Sequence, residues 1–511
     1  MESLKAYEVL ISVFVVLPVI LLLYWLWTRR NIYKCDLSFI GYPIIGSLYK
    51  LRNVNSIISA VGHTLRYCKN GTACFWAGFF PVILTADPDI VSNVLRSQEF
   101  LNKAETIYYY MGVSLKGGLF TTPATEWVHN RRMINPCFSN NVLVSLFPIF
   151  NKAKNDLIER CDALVDNKNH NILNLLQTLT LSMTVETTMG KVMHKGKQES
   201  QDLISVFSFL MKYITVQALM SFFKLGFIFE FYSKLQQKRV EVWMFVDKLI
   251  QAKLNKCSNT DNNNNNTESR VLNTKNIDAV PSIRKEPKIF IDQAIKLYEN
   301  QQFTWNDLIS ESVTIVAASF ETTANAVYST LVMLAMHPDI QQRLFEEILD
   351  VFPEKDFYIE CDQLSQLSYL ELVINETLRL APSVPIIGRQ AMKDTQIGVN
   401  LLPKGIQVFI SIYHLHRRTD IWGPNADKFE PERFSVENYG EKQKNAYIPF
   451  SKGPRNCIGR RYAMFSMKVL LCGLLRNYKF KTDFKFEDLR CTHRVSLRYI
   501  VEPELRLCRR T

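Results

Sequence analysis

No two of the 11 cysteines stand as Cys-x-x-Cys, and their number is odd. That pattern argues against a disulfide framework and against a zinc site, and it fits a reducing compartment. The chain is basic, with a net charge of +12 and a pI of about 9.0, yet it has no long run of Lys or Arg. A nucleic-acid surface needs that charge concentrated on one face. Charge spread along the chain suits anionic lipid or an acidic protein partner instead, and no nucleic acid is expected. There is no glycine-rich fingerprint for a flavin or a nicotinamide, so redox chemistry would draw its electrons from another protein. No small-residue cleavage site follows the apolar run near the N-terminus, which argues against a cleaved secretory signal.

That apolar run is the first positive feature. Val9 to Trp27 is nineteen uncharged, mostly apolar residues, enough to cross a bilayer as a helix. Trp25 and Trp27 suit the interface, and Arg29, Arg30 and Lys34 place the following chain on the cytoplasmic side. Pro18 is tolerable inside a membrane helix. Residues 1–30 therefore read as a single anchor and 31–47 as a connector containing Gly41, Pro43 and Gly46. Residues 48–511 form the body. With 511 residues, 47% of them hydrophobic, there is ample material for a large core. Length alone suggests two to four domains, though some folds use this much chain in one unit.

Within the body, Thr72–Trp76 and Val82–Thr85 read as a β-hairpin around Gly78 and Pro81. Asp87-Pro88 marks a helix start. The stretch from 171 to 253 is helical by pattern and poor in glycine, and Phe207 to Tyr232 within it is strongly aromatic. Residues 257–287 hold the run Asn262–Asn266 and almost no apolar periodicity, so they read as a disordered surface loop. Thr304 and Asp307 resemble a capping box opening an apolar helix that ends near His337-Pro338, roughly 45–50 Å long. Another helix, Leu367 to Leu380, is stopped by Pro382, and the alternation from Leu489 to Val501 reads as a closing hairpin.

The chemistry concentrates between Phe450 and Gly459. Cys457 sits in a turn made by Gly453, Pro454 and Gly459, just ahead of an apolar helical run from Tyr462 to Leu475. A helix N-terminus lowers a thiol pKa, and the thiolate is the metal-ligating form. Glycines let a backbone approach something flat and bulky. A lone cysteine in such a turn could equally be buried and inert. Phe450, Gly453, Arg455, Cys457 and Gly459 together match Phe-x-x-Gly-x-Arg-x-Cys-x-Gly. On those residues the chain resembles the cytochrome P-450 superfamily, the haem-thiolate monooxygenases. The resemblance implies that Cys457 is the axial ligand of a haem b iron.

Four further segments follow in the order that the superfamily shows. Trp127 and Arg131, on one helical face, correspond to residues that donate to a haem propionate; an aromatic stacked on an arginine would look the same. Ala318-Ser319-Phe320-Glu321-Thr322-Thr323 corresponds to the segment crossing the oxygen-binding face. The resemblance makes Glu321 and Thr322 the proton-delivering pair, while Thr323 can simply bond the carbonyl four residues back. Ser319 replaces the usual glycine. Ala318 stands where many fatty-acid hydroxylases carry a glutamate esterified to haem, so that link cannot form there. Glu376, Arg379 and Arg433 correspond to a buried charge triad bracing the cysteine loop. Arg389 corresponds to a propionate ligand, or is a solvated strand end.

The resemblance covers nearly all of the chain after the anchor. It implies a mainly α fold with a small β-rich subdomain and insertion of one atom of dioxygen into a lipophilic substrate. It also implies an NADPH-cytochrome P-450 reductase as partner, cytochrome b5 as a second donor, and a single-pass location in the endoplasmic reticulum (microsomal) membrane with the body in the cytosol. A haem-thiolate isomerase or dehydratase, and a non-catalytic haem or lipophile carrier, are the rival readings. Closest in text is the animal, insect-like group that includes fatty-acid hydroxylases.

Overall fold

The computed structural model describes residues 15–20, 22–24, 55, 57–78, 80–165, 171–193, 198–268, 289–398 and 400–510. Most of the expected anchor and the whole connector lie outside these residues. The described part of the anchor is helical and exposed, with Val16, Leu17, Val19 and Leu23 facing outward.

Chain order begins with α1 (Ile57–Arg66), β1 (Thr72–Ala77), β2 (Phe80–Thr85), α2 (Pro88–Arg96), α3 (Glu105–Leu115) and α4 (Ala124–Ile134). The helices α5 (Phe147–Asp162), α6 (Ile172–Met189), α7 (Gln198–Ser221), α8 (Ser233–Glu268) and α9 (Phe290–Glu299) follow. Next come α10 (Trp305–Met336), α11 (Pro338–Val351) and α12 (Ser368–Leu380). The strands β3 (Ile386–Gln390), β4 (Thr395–Ile397), β5 (Asn400–Leu402) and β6 (Gln407–Ser411) precede α13 (Arg460–Asn477). The chain closes with β7 (Tyr478–Lys481), β8 (Cys491–Arg494), β9 (Ser496–Tyr499) and β10 (Arg506–Arg509). The fold is mainly helical with small sheets, as the sequence implied.

Local sequence explains the boundaries. Asp87 caps α2 by accepting from the N–H groups of Asp89 and Ile90 at 2.9 and 3.1 Å. Thr304 and Asp307 form the expected reciprocal box at the head of α10, with bonds of 3.1 and 2.8 Å. Asn171 opens α6, and Gly190, in the left-handed region at φ 66°, closes it. Helix α10 runs 32 residues and is apolar on nearly every side because it is enclosed on nearly every side. It packs along α6, while α13 packs along α5.

The Asn-rich segment corrects one expectation. The α8 backbone stays helical through Asn262–Asn266 to Glu268, so the first part of the expected loop at 257–287 is helix. Residues such as Leu235, Val242, Val246 and Leu249 bury the first half of α8. Once that half is nucleated, each added residue gains a backbone bond without fresh nucleation. The remainder, 269–287, lies outside the described residues. Among the described residues, Ser200–Ser221 is the one helix long and apolar enough to cross a membrane, and 56% of it is buried in the body. That burial suits a core helix.

One four-stranded sheet has the order β1-β2-β6-β3. Strands β1 and β2 form the expected hairpin, with Thr72 opposite Thr85 and their hydroxyls 2.7 Å apart. Strand β3 pairs antiparallel to β6 and carries Arg389 opposite Val408. The closing hairpin β8–β9 turns at Val495, which is left-handed at φ 67°. It is tied to the long helix through Ser383. The N–H of Leu497 donates to the Ser383 carbonyl at 2.8 Å, and the Ser383 hydroxyl donates to the Thr322 carbonyl at 3.0 Å.

A buried carboxylate fixes α4 against α10. Glu311 accepts from the Leu119 N–H at 2.8 Å and from Asn130 Nδ2 at 2.9 Å. Burial pushes its carboxyl from the usual 4.5 up to about 7, against those two bonds, with Asp307 adding to the rise. A raised carboxyl pKa means that the folded state favours the protonated form. The group's contribution is therefore most favourable below about pH 4.5 and is lost as pH rises through about 7, by roughly 3 kcal/mol in all. Glu311→Gln should remove that slope. Urea unfolding of parent and variant at about pH 5 and about pH 8 should show the difference between them shifting in the variant's favour at the higher pH.

Candidate active site

The cysteine loop is closed by its own backbone. The N–H of Cys457 donates to the Phe450 carbonyl at 2.9 Å, and that of Asn456 to Gly453 at 3.1 Å. Gly453 is left-handed at φ 75°, and a Cβ there would run into the Leu95 carbonyl at the end of α2. Its close approach is thus to the protein's own backbone. Gly459, which caps α13, is the glycine that meets open space. It lines one cavity together with Phe450, Arg455 and Cys457.

The Cys457 sulfur opens onto that cavity. Its thiol pKa is raised, contrary to the expectation from its place ahead of a helix. Burial is the largest cause and outweighs the Gly459 N–H, Arg131, Arg460 and Lys103, all of which favour the thiolate.

The same cavity collects positive charge. Arg131, Arg389, Arg455 and Lys103 all line it, and no Asp or Glu is among the described residues that do. Arg131 donates to the carbonyl and the side-chain oxygen of Asn456, both at 3.0 Å, joining α4 to the cysteine loop. Arg389 is a buried strand residue and not a solvated end. It donates to the Gly388 carbonyl at 3.0 Å and, more distantly, to Ser451 at 3.4 Å. Arg455 lies 4.4 Å over the ring of Trp127 and donates one nitrogen to the Thr122 carbonyl at 2.7 Å. Its Nε and Nη1 are buried without a partner.

These cations suppress one another. Burial, then Arg389, pushes Arg455 down to about 9. Burial, Arg389 and Arg455 hold Lys103 well below the usual lysine range. Buried charges require partners, and orphaned guanidinium nitrogens beside a cysteine fit a ligand that brings carboxylates. The two propionates of a haem meet that requirement, and the open face at Gly459 leaves room for a flat ring. Lys103 escaped the sequence reading. It stands in no motif, and its one local signal is a lysine between Leu101 and Ala104, both of them buried.

Helix α10 forms the opposite wall through Thr314, Ile315, Ala318, Ser319, Thr322 and Thr323. Ser319 donates to Ile315 at 2.7 Å and Thr322 to Ala318 at 2.8 Å. It is Thr322, not Thr323, that makes the bond to the carbonyl four residues back. Glu321 does not line this cavity. Its carboxylate pairs with Arg498 and accepts from Ser496 at 2.9 Å. It faces a second, polar cavity of about 410 Å³ that also touches Asn174, Gln177, Arg494 and Glu502. Adjacent residues on a helix point about 100° apart, so this pair spans the wall between two chambers.

Behind the cysteine loop, Glu376 and Arg379 form a two-pronged pair at 2.6 and 2.7 Å with both side chains fully buried. Arg433 approaches Glu376 at 3.4 Å and donates to the Trp422 carbonyl at 2.6 Å. Arg379 also donates to the carbonyls of His416, Ala426 and Lys428 at 2.6–3.0 Å. The triad therefore braces residues 416–433 directly. His416 passes the brace on to the loop, because its Nε2 accepts from the Ile448 N–H at 2.9 Å. Burial and Arg379 push this histidine down to about 3, which keeps the accepting nitrogen free of a proton. No motif pointed to His416.

The family model described as Cytochrome P-450 matches residues 38–503. The chain is 36% identical to the probable cytochrome P-450 313a4 of Drosophila melanogaster, covering 96% of this chain and 98% of that one. It is 33% identical to the probable cytochrome P-450 313a1 of the same fly, over 96% and 97%. Cytochrome P-450 4c3, also of that fly, is 29% identical over 81% and 77%. The crystal structure of a cytochrome P-450 (CYP102L1) superposes with a TM-score of 0.75 at 21% identity, over 93% of this chain and 99% of the other.

Removing Glu376 leaves Arg379 buried and unpaired. Glu376→Ala should destabilise the protein by about 3–5 kcal/mol. The measurement is the urea midpoint, and a change within about 0.5 kcal/mol would exclude the brace.

Proposed function

The chain belongs to the cytochrome P-450 family, the haem-dependent monooxygenases, and from that premise we propose how its own residues carry the reaction. The substrate is a lipophilic small molecule, and electrons come from a separate NADPH-cytochrome P-450 reductase, with cytochrome b5 as a second donor. The observation that carries this reading is the cluster of buried Arg389 and Arg455 with half-buried Lys103 and Arg131 around Cys457, with no described acidic side chain lining that cavity to balance it.

Cys457 is the ligand for the iron of a haem b, and Gly459 donates its N–H to the sulfur. Haem bound this way supplies iron whose thiolate ligand favours O–O cleavage, as is established for this class of enzyme. Arg131, Arg389, Arg455 and Lys103 hold the carboxylates, and Trp127 supports Arg455 from below. Phe450 and the backbone N–H groups of the loop temper the charge on the thiolate. Ala318 has no carboxylate, so the haem is not esterified at that position.

Glu321 and Thr322 are the proton-delivering pair. Glu321 takes protons from the polar cavity, where Arg498 and Ser496 orient it, and Thr322 presents a hydroxyl on the other side of the wall. Apolar walls at Ile315, Val384 and Ile387 suit a C–H substrate. The absence of a dinucleotide fingerprint supports an external reductase. The outward apolar side chains at 15–17, 19, 20 and 22–24 support a single membrane anchor, in the endoplasmic reticulum, with the body cytosolic.

Cys457→Ala should abolish the thiolate signature in the reduced carbon-monoxide difference spectrum, and an unchanged Soret band in the variant would sink the assignment. Lys103→Met separates charge balance from packing. Without haem, the variant should unfold at a higher temperature than the parent, because one of four clustered, unbalanced cations is gone. With haem, it should lose the cofactor to apomyoglobin several-fold faster. Equal loss rates would exclude Lys103 from the carboxylate set.

A further inference from the structure

The closing hairpin β8–β9 turns a different chemistry to each side. Successive side chains on a strand point to opposite faces, and directly paired residues share a face. Thr492 pairs with Arg498 and Arg494 with Ser496, so these four stand on one face, while His493 and Leu497 stand on the other. The first face looks onto the polar cavity of about 410 Å³ that Glu321 also lines. One water needs roughly 10–15 Å³, so this space admits a small molecule. No residue that lines it lines the haem-side cavity.

Two arginines line this cavity, in opposite states. Arg498 is compensated by Glu321. With the Gln177 amide turned so that its oxygen meets that guanidinium, the oxygen also accepts from Nη1 and Nη2 at 3.0 and 3.3 Å. Arg494 has no such balance. Its Nη2 donates to the Asn55 side-chain oxygen at 3.2 Å, its Nε is enclosed without a partner, and no Asp or Glu among the described residues pairs with it. Its Nη1 makes no bond and is the end left for a ligand. A half-buried guanidinium without a counter-ion calls for an anion.

Gln177 supplies a second open donor. It is 6% exposed, and the amide orientation that serves Arg498 leaves its Nε2 unpartnered at the cavity wall. A buried donor without an acceptor is costly until something completes it. Asn171, which caps α6, and Asn174 line the same wall, so the positive end of that helix adds to the field.

We propose that this cavity is a binding site for a small, polar carboxylic acid in its ionised form, with the carboxylate received by Arg494 and Gln177. The inference goes beyond the haem reading and does not depend on it, since no residue of the haem-side cavity takes part.

Charge sets the sign of the ligand. The lining carries two arginines and two glutamates. Glu321 is engaged by Arg498, and Glu502 is exposed, where water screens it. The enclosed groups still open are therefore donors. A cation would face Arg494 with no enclosed carboxylate free to hold it, and a neutral molecule would leave the guanidinium without a counter-ion. A carboxylate matches the edge of a guanidinium in shape as well as in charge. Asn171, Asn174 and Ser208 along the wall favour a ligand bearing hydroxyls over a hydrocarbon chain.

The test is titration calorimetry on the full-length, haem-loaded protein at neutral pH and low salt, with glycerate, its uncharged methyl ester and inorganic phosphate. The parent should bind glycerate about tenfold more tightly than the ester, the worth of one charge-assisted hydrogen bond, and more tightly than phosphate. Arg494→Gln should abolish that preference, and Arg494→Lys should keep part of it. Gln177→Glu retains an acceptor for Arg498 but sets a like charge beside the ligand, and should weaken glycerate several-fold. In the parent, which needs no variant to fold, glycerate should slow amide hydrogen exchange within 171–178 and 491–498. Absence of binding at millimolar glycerate, equal affinity for acid and ester, tightest binding of phosphate, preference retained in Arg494→Gln, or protection only elsewhere would each overturn the proposal. Because neither turnover nor iron ligation is read, a missing thiolate signature would count against the haem reading alone.

Discussion

Positive charge gathered in one cavity with no described carboxylate to balance it is the constraint on which the rest of the structure depends. Arg131, Arg389, Arg455 and Lys103 come from α4, β3, the cysteine loop and the turn before α3. Two buried guanidinium groups with two more cations beside them, and no described carboxylate among them, call for an anion. Their presence explains why α4 must sit against the cysteine loop, through Arg131 and Asn456, and why the sheet must deliver Arg389 inward. In the proposed function this gives the cofactor a thermodynamic role, since its carboxylates would remove a charge penalty that the protein carries without them.

A separate, paired set of charges holds the other side of the cysteine loop in place. Glu376 and Arg379 neutralise each other, and Arg379 fastens three carbonyls of the segment from His416 to Lys428. His416 links that segment to Ile448 and hence to the loop. One side of the sulfur is thus rigid because its charges are satisfied, and the cavity side is receptive because its charges are not. The long helix α10 divides the far side in a comparable way, with Thr322 on the haem cavity and Glu321 on a polar chamber.

Much of the fold was legible in the sequence because its signals are local. The hairpin at Thr72–Thr85, the cap at Asp87, the box at Thr304 and Asp307, and the stop at Pro382 each act within a few residues. The Asn-rich segment misled because composition reports solvation, whereas a helix already nucleated in the core propagates through polar residues. At the site, the fixed spacing around Cys457 identified the loop, but two roles assigned by spacing shifted in detail. Gly453 faces Leu95 and not the cavity, and Glu321 turns away from the haem side.

By itself, the sequence determined the family, the mainly helical fold and the place of the cysteine loop. Those properties rest on contiguous patterns that survive in any context. Tertiary structure alone decided the raised pKa of the Cys457 thiol, the recruitment of Lys103 and His416, and the uncompensated charge of Arg494. Each depends on burial and on groups far apart in the chain, as Arg131 and Asn456 are, and desolvation has no signature in a local run of residues.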